Sequence, residues 1–231
     1  DVLKSGEVTC PYCSTKYVFT GEAPKGHHYA TGGGPRFYGP ARHFRMNKAL
    51  IVAPSWIGDT IMAQPLFARL HAQSPGLQLD AIAPRWVAPV LQRMTEIRDV
   101  IDSPFGHGQL SLKPRWRLAR ELAARGYDSV YVLPNSLKSA LVPWMAGIPK
   151  RVGFTGESRL GLINIRHDLD KAALPLMVER FAQLAEDSGA ALPKPVSYPK
   201  IRSTAADQEK TLSELKLERP PRIAAFCPGA E

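Results

Sequence analysis

The chain has 231 residues, 44% of them apolar, enough for a real core and too many for a disordered chain. Thirty Lys and Arg against 21 Asp and Glu give a formal net charge of +9, which points to an anionic partner: nucleic acid, a phosphorylated sugar or an acidic membrane surface. No long apolar run reads as a membrane span, no secretory signal opens the chain and residue 1 is Asp, so the expected address is cytoplasmic and the start reads as a cut; three cysteines argue against a disulfide framework and fit a reducing compartment.

Residues 1–22 form a short unit in which Cys10-Pro11-Tyr12-Cys13 precedes the alternating Lys16-Tyr17-Val18-Phe19. The spacing of Cys10 and Cys13 is that of a zinc knuckle, and it supplies half of a four-ligand site. His27 follows at a usable distance, but His28 is adjacent to it rather than a few residues on, so the remaining ligands are expected before residue 1. Residues 23–46 are rich in Gly, Pro, His and Tyr without a period and read as a linker. The glycine run 32–34 follows no strand and lacks a Walker lysine and serine, so it is not a phosphate loop.

From Met46 onward apolar strands and amphipathic helices alternate. Strands are expected at 49–53, 78–83, 98–101, 128–133 and 150–153, and helices at 58–73, 86–93, 113–125, 136–146, 172–188 and 207–215. This order predicts an α/β fold with a parallel sheet covered on both faces. Residues 222–229 read as a fresh strand and a Pro-Gly turn, the expected opening of a second α/β domain that this sequence truncates. The organisation is therefore 1–22, a partial zinc-finger-like segment; 23–46, linker; 47–200, a Rossmann-like domain; and 201–231, an interdomain segment with the first strand of the next domain.

Open α/β sheets bind ligands beyond the carboxyl ends of their strands, which selects two junctions. In Ser55-Trp56-Ile57-Gly58-Asp59 a carboxylate falls in the first helical turn, where the dipole holds it ionised and ready to take a proton from a hydroxyl. Ordinary helix capping is the competing explanation; Gly58 favours a ligand, since it leaves room for close approach. In Leu133-Pro134-Asn135-Ser136-Leu137-Lys138, Asn135 or Ser136 can cap the next helix, whereas Lys138 opposes the dipole and suggests an anion. The basic run Lys113, Arg115, Arg117, Arg120 and Arg125, interleaved with Trp116 and Leu118, is either a solvated helix face or a patch for phosphate and carboxylate groups. There is no GxGxxG after the first strand, no HExxH and no GxSxG.

Met46 to Asp59, Tyr131 to Pro143, Ala146 to Pro149, Arg151 to Gly153, Pro175 to Arg180 and Phe226 to Glu231 closely resemble, in order, the bacterial ADP-heptose:lipopolysaccharide heptosyltransferases of glycosyltransferase family 9. The resemblance implies a GT-B fold whose N-terminal Rossmann-like domain holds the acceptor and whose second domain holds the sugar nucleotide. It implies inverting transfer of heptose from ADP-L-glycero-D-manno-heptose to the first heptose of the lipopolysaccharide inner core, Kdo-lipid A carrying one heptose. Asp59 matches the family's base, with Ser55, Trp56, Gly58, Asn135, Ser136 and Lys138 on the acceptor side and Gly229 and Ala230 on the donor side. No cofactor is required on this reading, zinc at residues 10–13 aside. A cytoplasmic enzyme touching the inner membrane peripherally is implied, without nucleic acid as a partner; the chain by itself is expected to be inactive. Residues 1–22 resemble instead the C-terminal end of a CHCC-type zinc-finger protein. A zinc-binding interaction module fused to a non-catalytic α/β domain is the alternative reading, and a nucleic-acid binder would rest on charge alone.

Overall fold

The computed structural model describes residues 48–105 and 112–218, together with the backbone of 7–9 and 16–18. The chain divides into two compact units, 1–43 and 44–231. In the first, β1 (Glu7–Thr9) pairs antiparallel with β2 (Lys16–Val18), Val8 opposite Tyr17. Cys10, Cys13, His27, His28 and the glycine run lie outside the described residues, as do Gly229, Ala230 and the strand expected at 222–229.

The second unit is built on six parallel strands: β3 (Lys48–Val52), β4 (Gln78–Ala83), β5 (Asp99–Asp102), β6 (Ser129–Val132), β7 (Lys150–Phe154) and β8 (Ile165–His167). They lie in the order β5-β4-β3-β6-β7-β8. Counted within this sheet that is 3-2-1-4-5-6, the doubly wound order of dinucleotide-binding folds, and the direction of winding reverses between β3 and β6. Val52 stands beside both Ile82 and Val132 in register, so the carboxyl ends of the central strands are level.

Alternation along the strands feeds two cores. Ala49 and Ile51 of β3 and Tyr131 and Leu133 after them in the sheet join Phe67, Leu70, Phe181 and Leu184 on one face. Leu50, Val130 and Val132 join Leu118, Leu122, Ala140 and Val142 on the other. The first face is covered by α1 (Ile57–Met62), α2 (Gln64–Gln73) and a later helix, α6 (Met177–Gln183). The second is covered by α4 (Leu112–Arg125) and α5 (Leu137–Met145); the short α3 (Ala88–Leu91) adds the fully buried Leu91 to the first core, and α7 (Ala205–Glu214) buries no residue.

Three expected helices differ and one strand is unexpected; the helix over 86–93 is reduced to Ala88–Leu91. The single helix over 58–73 is two, because Pro65 has no amide to donate and its ring would meet the carbonyl a turn earlier; Ala63 closes one helix and opens the next. The helix over 172–188 shrinks to seven residues, since Pro175 bars a helical conformation just before it and Asp170 instead closes a turn on the amides of Ala172 and Ala173, at 2.8 and 3.1 Å. The edge strand β8 was absent from the sequence reading; three residues are too few for a period to register.

Candidate active site

At the first junction the Ala53 amide still donates to the Ile82 carbonyl at 3.0 Å, so the chain keeps its place in the sheet one residue past β3. Pro54 then ends the ladder, Trp56 is extended (φ −101°, ψ 134°) and α1 begins. Thr60 steadies this short helix by donating its hydroxyl to the Trp56 carbonyl at 2.9 Å. Asp59 lies in the first turn, half-buried; no side-chain hydrogen bond caps the helix, and among the described residues the Asp59 carboxylate has no protein partner. Capping therefore does not account for it. Gly58 faces open space: a Cβ there would meet nothing within 4 Å.

The second junction runs alongside. Leu133 donates to the Val52 carbonyl at 3.2 Å, after which Pro134, Asn135 and Ser136 lead into α5. Here the sequence reading is corrected: neither Asn135 nor Ser136 caps the helix. The Leu137 amide donates instead to Glu157 Oε2 at 2.9 Å. Ser139 Oγ reaches the carbonyls of Pro134 at 3.0 Å and Ser136 at 2.6 Å. Arg159, 4% exposed, donates to the Pro134 carbonyl at 2.8 Å, to Asn135 Oδ1 at 3.4 Å and to the Phe154 carbonyl. Burial pulls its pKa down from the free value. Gly156 is required at this point, because a Cβ would stand 2.7 Å from the Asn135 carbonyl oxygen.

Between the junctions and α6 opens a cleft of about 430 Å³. Ser55, Trp56, Asp59 and Asn135 line it, facing Lys171 and Arg180, over an apolar floor of Phe154, Leu169, Met177 and Phe181. Arg180 is held by the carbonyls of Leu174 at 2.9 Å and Pro175 at 3.0 Å, while Lys171 is exposed. A hydroxyl-bearing ligand in this cleft would meet one carboxylate able to take a proton and two cations able to hold anionic groups.

Ser136 and Lys138 do not reach this cleft. They line a smaller cavity of about 180 Å³ on the other side of a ridge formed by Ser55 and Pro134, with Trp86, Phe105 and Arg115. Arg115 is buried there, 4.1 Å over the Phe105 ring and donating to the Lys138 carbonyl at 2.9 Å; desolvation lowers its pKa. Trp86 donates its indole N–H to the Ser55 carbonyl at 2.8 Å. The seven candidate residues thus divide: four share the Asp59 cleft, two line its neighbour and Gly58 lines neither. Lys171, outside the motifs singled out, and Trp86 were missed; Arg180 closed a quoted motif without a role. Among the described residues no group of three or more His, Cys, Asp or Glu could hold a metal ion, and no helix is long and apolar enough to cross a membrane.

Residues 115–231 match the family model of glycosyltransferase family 9 (heptosyltransferase). The chain is 44% identical over 189 residues to the lipopolysaccharide heptosyltransferase 2 of Escherichia coli K12, covering 80% of this chain and 54% of that one. It is 42% identical over 194 residues to the lipooligosaccharide heptosyltransferase 2 of Haemophilus influenzae, with 79% and 54% covered. Among solved structures, that of the E. coli ADP-heptose lipopolysaccharide heptosyltransferase II matches with a TM-score of 0.68 at 41% identity, over 74% of this chain and 51% of that one. The chain spans about half the length of the curated relatives it matches, and its α/β fold is that of about half of a GT-B heptosyltransferase. A level switch point, a cleft beside it and these matches converge on one conclusion: the chain belongs to glycosyltransferase family 9.

Proposed function

We propose that this chain supplies the acceptor-binding half of an inverting heptosyltransferase. The reaction moves heptose from ADP-L-glycero-D-manno-heptose to the first heptose of the lipopolysaccharide inner core, at the cytoplasmic face of the inner membrane and without nucleic acid. The observation that carries this reading is Asp59, a carboxylate without a protein partner among the described residues, in a cleft at the switch point of the sheet. The acceptor hydroxyl gives its proton to Asp59 while its oxygen attacks the anomeric carbon from the face opposite ADP. The bond from that carbon to the diphosphate oxygen breaks, and ADP leaves with the electron pair. Ser55, Trp56 and Asn135 position the acceptor sugar, Lys171 and Arg180 hold its anionic groups, and Ser136 and Lys138 serve from the adjoining cavity.

On this reading 47–200 is the acceptor domain and 201–231 leads toward the donor domain, with Gly229 and Ala230 assigned to donor binding. The test is turnover in a complete protein that also carries the donor half. Replacing Asp59 by Ala or Asn should cut kcat by about 10²–10⁴-fold, the range of a lost general base, with ADP-heptose affinity within twofold. Unchanged turnover would overturn the role.

A further inference from the structure

The +9 charge is not absorbed by the cleft, and part of it is concentrated on one helix. Along α4, Leu118, Ala119 and Leu122 are buried against the sheet, and the opposite stripe carries Lys113, Trp116, Arg117 and Arg120 at helical spacing. Trp116 and Leu112 are 54% and 57% exposed. Arg120 holds its guanidinium carbon over the Trp116 ring, 5.0 Å from the centroid, so cation and indole share one exposed patch. Lys113 and Arg117 form no ion pair among the described residues. Glu121 is the single acidic residue of α4. On the same side of the sheet α5 adds Trp144, 51% exposed, and contains no acidic residue.

A solvated helix face has no use for exposed tryptophan. A nucleic-acid surface would use cations and aromatics too, but the aromatics here are flanked by aliphatic Leu112 and stand on a convex helix rather than in a groove that could track a strand. Indole rings beside Lys and Arg, on a helix lying flat over a folded domain, suit the boundary between phosphate headgroups and acyl chains.

We propose that the outer face of α4, with Trp144 of α5 beside it on the same layer, docks the protein on an anionic lipid bilayer. Lys113, Arg117 and Arg120 engage headgroup phosphates, and Trp116 inserts its ring at the interface. The cations bring the protein to the surface over the range of salt screening, and the indole slows its release. The surface is separate from Asp59, so this docking stands or falls independently of the catalytic reading.

The test is partitioning of the protein onto vesicles free of lipopolysaccharide, either neutral phosphatidylcholine or phosphatidylcholine with about a third phosphatidylglycerol. Binding is expected to the anionic vesicles, weakening as salt rises, with tryptophan fluorescence quenched by brominated acyl chains. At about fivefold per charge, the triple variant Lys113→Gln/Arg117→Gln/Arg120→Gln should partition about 100-fold more weakly. Trp116→Ser should remove most of the quenching, and both variants should keep the wild-type circular dichroism. Equal binding to neutral vesicles, wild-type partitioning by a folded triple variant, or binding to RNA and not to anionic vesicles would each overturn the proposal.

Discussion

Glu157 accepts the Leu137 amide at 2.9 Å, so the helix at the second junction is capped by a residue twenty positions later, from the turn after β7. Its own Ser136 makes no capping bond. The consequence is a stability link between the β7 turn and the site edge. Replacing Glu157 by Ala removes that amide's acceptor among the described residues and should cost about 1 kcal/mol, the usual worth of an N-cap. For a domain of this size that lowers Tm by about 2–4 °C. Glu157→Gln keeps an acceptor oxygen and should recover most of the loss, which calorimetry on the three proteins would resolve.

The buried Asp80 is a second point of high sensitivity. It is fully inaccessible, yet Oδ1 accepts from Arg98 Nε at 2.9 Å and Oδ2 accepts from the Tyr127 hydroxyl at 2.6 Å. Burial first, and then the bond to Asp80, push the Tyr127 pKa up, so this phenol stays protonated and donating across the physiological range. Asp80→Ala leaves the buried Tyr127 hydroxyl without its acceptor, while the half-exposed Arg98 keeps Gln78 and water, and should destabilise by about 1–3 kcal/mol. Tyr127→Phe removes one bond and should cost about 1 kcal/mol. In the double variant the Tyr127 change should cost less than it does alone, because its partner is already gone; equal cost in urea unfolding would refute the coupling.

What was legible in the sequence followed from local pattern. The runs at 50–53 and 130–133 are apolar and end at Pro54 and Pro134, so pattern alone places both central strands and the junctions after them. Asp59 could be placed in a first helical turn because Ile57, Ile61 and Met62 set the period. The composition of the cleft could not be read this way. Lys171 reaches it by way of the short edge strand β8 and a turn organised by Asp170, neither of which leaves a periodic trace. The separation of Ser136 and Lys138 from Asp59 depends on which side of the Ser55–Pro134 ridge each side chain falls, a tertiary fact invisible to spacing. Capping from Glu157 is similarly non-local, which is why Ser136 looked sufficient.

His167 gives the fold an acid-sensitive point. It is 2% exposed at the end of β8, edge-on to Phe154 with ring centroids 6.2 Å apart, and its Nε2 has no partner among the described residues. Burial holds its pKa below the ordinary value, more than Asp187 and Asp168 raise it. In the unfolded chain the ring takes up a proton near pH 6.5, whereas the folded state resists until lower pH, so the unfolded state binds more protons in that window. Stability is complete above about pH 6.5 and is lost as pH falls below it. Replacing His167 by Phe removes the unpaired nitrogen and should flatten this acid slope with little change at pH 7.5. Urea midpoints between pH 7.5 and 5.5 would check it; an unchanged slope would assign the acid loss to other groups.

Lys171 and Arg180 face the same cleft but should fail differently when altered. Arg180 is fixed by two backbone carbonyls, so Arg180→Ala would unsettle the turn before α6 as well as the site. Lys171 is exposed, so its ammonium is available to a ligand and its removal should leave the fold intact. If it holds an anionic group of the acceptor, Lys171→Ala in a complete protein should raise the acceptor KM by about fivefold, the scale of a solvent-screened ion pair, with kcat within twofold. The effect should shrink as salt rises past about 0.3 M, where screening removes most of the attraction, and Lys171→Arg should restore the wild-type KM. That pattern is the reverse of the one expected for Asp59, where kcat falls and binding holds. A fall in kcat without a rise in KM would show that Lys171 acts on the reacting atoms and not on acceptor binding.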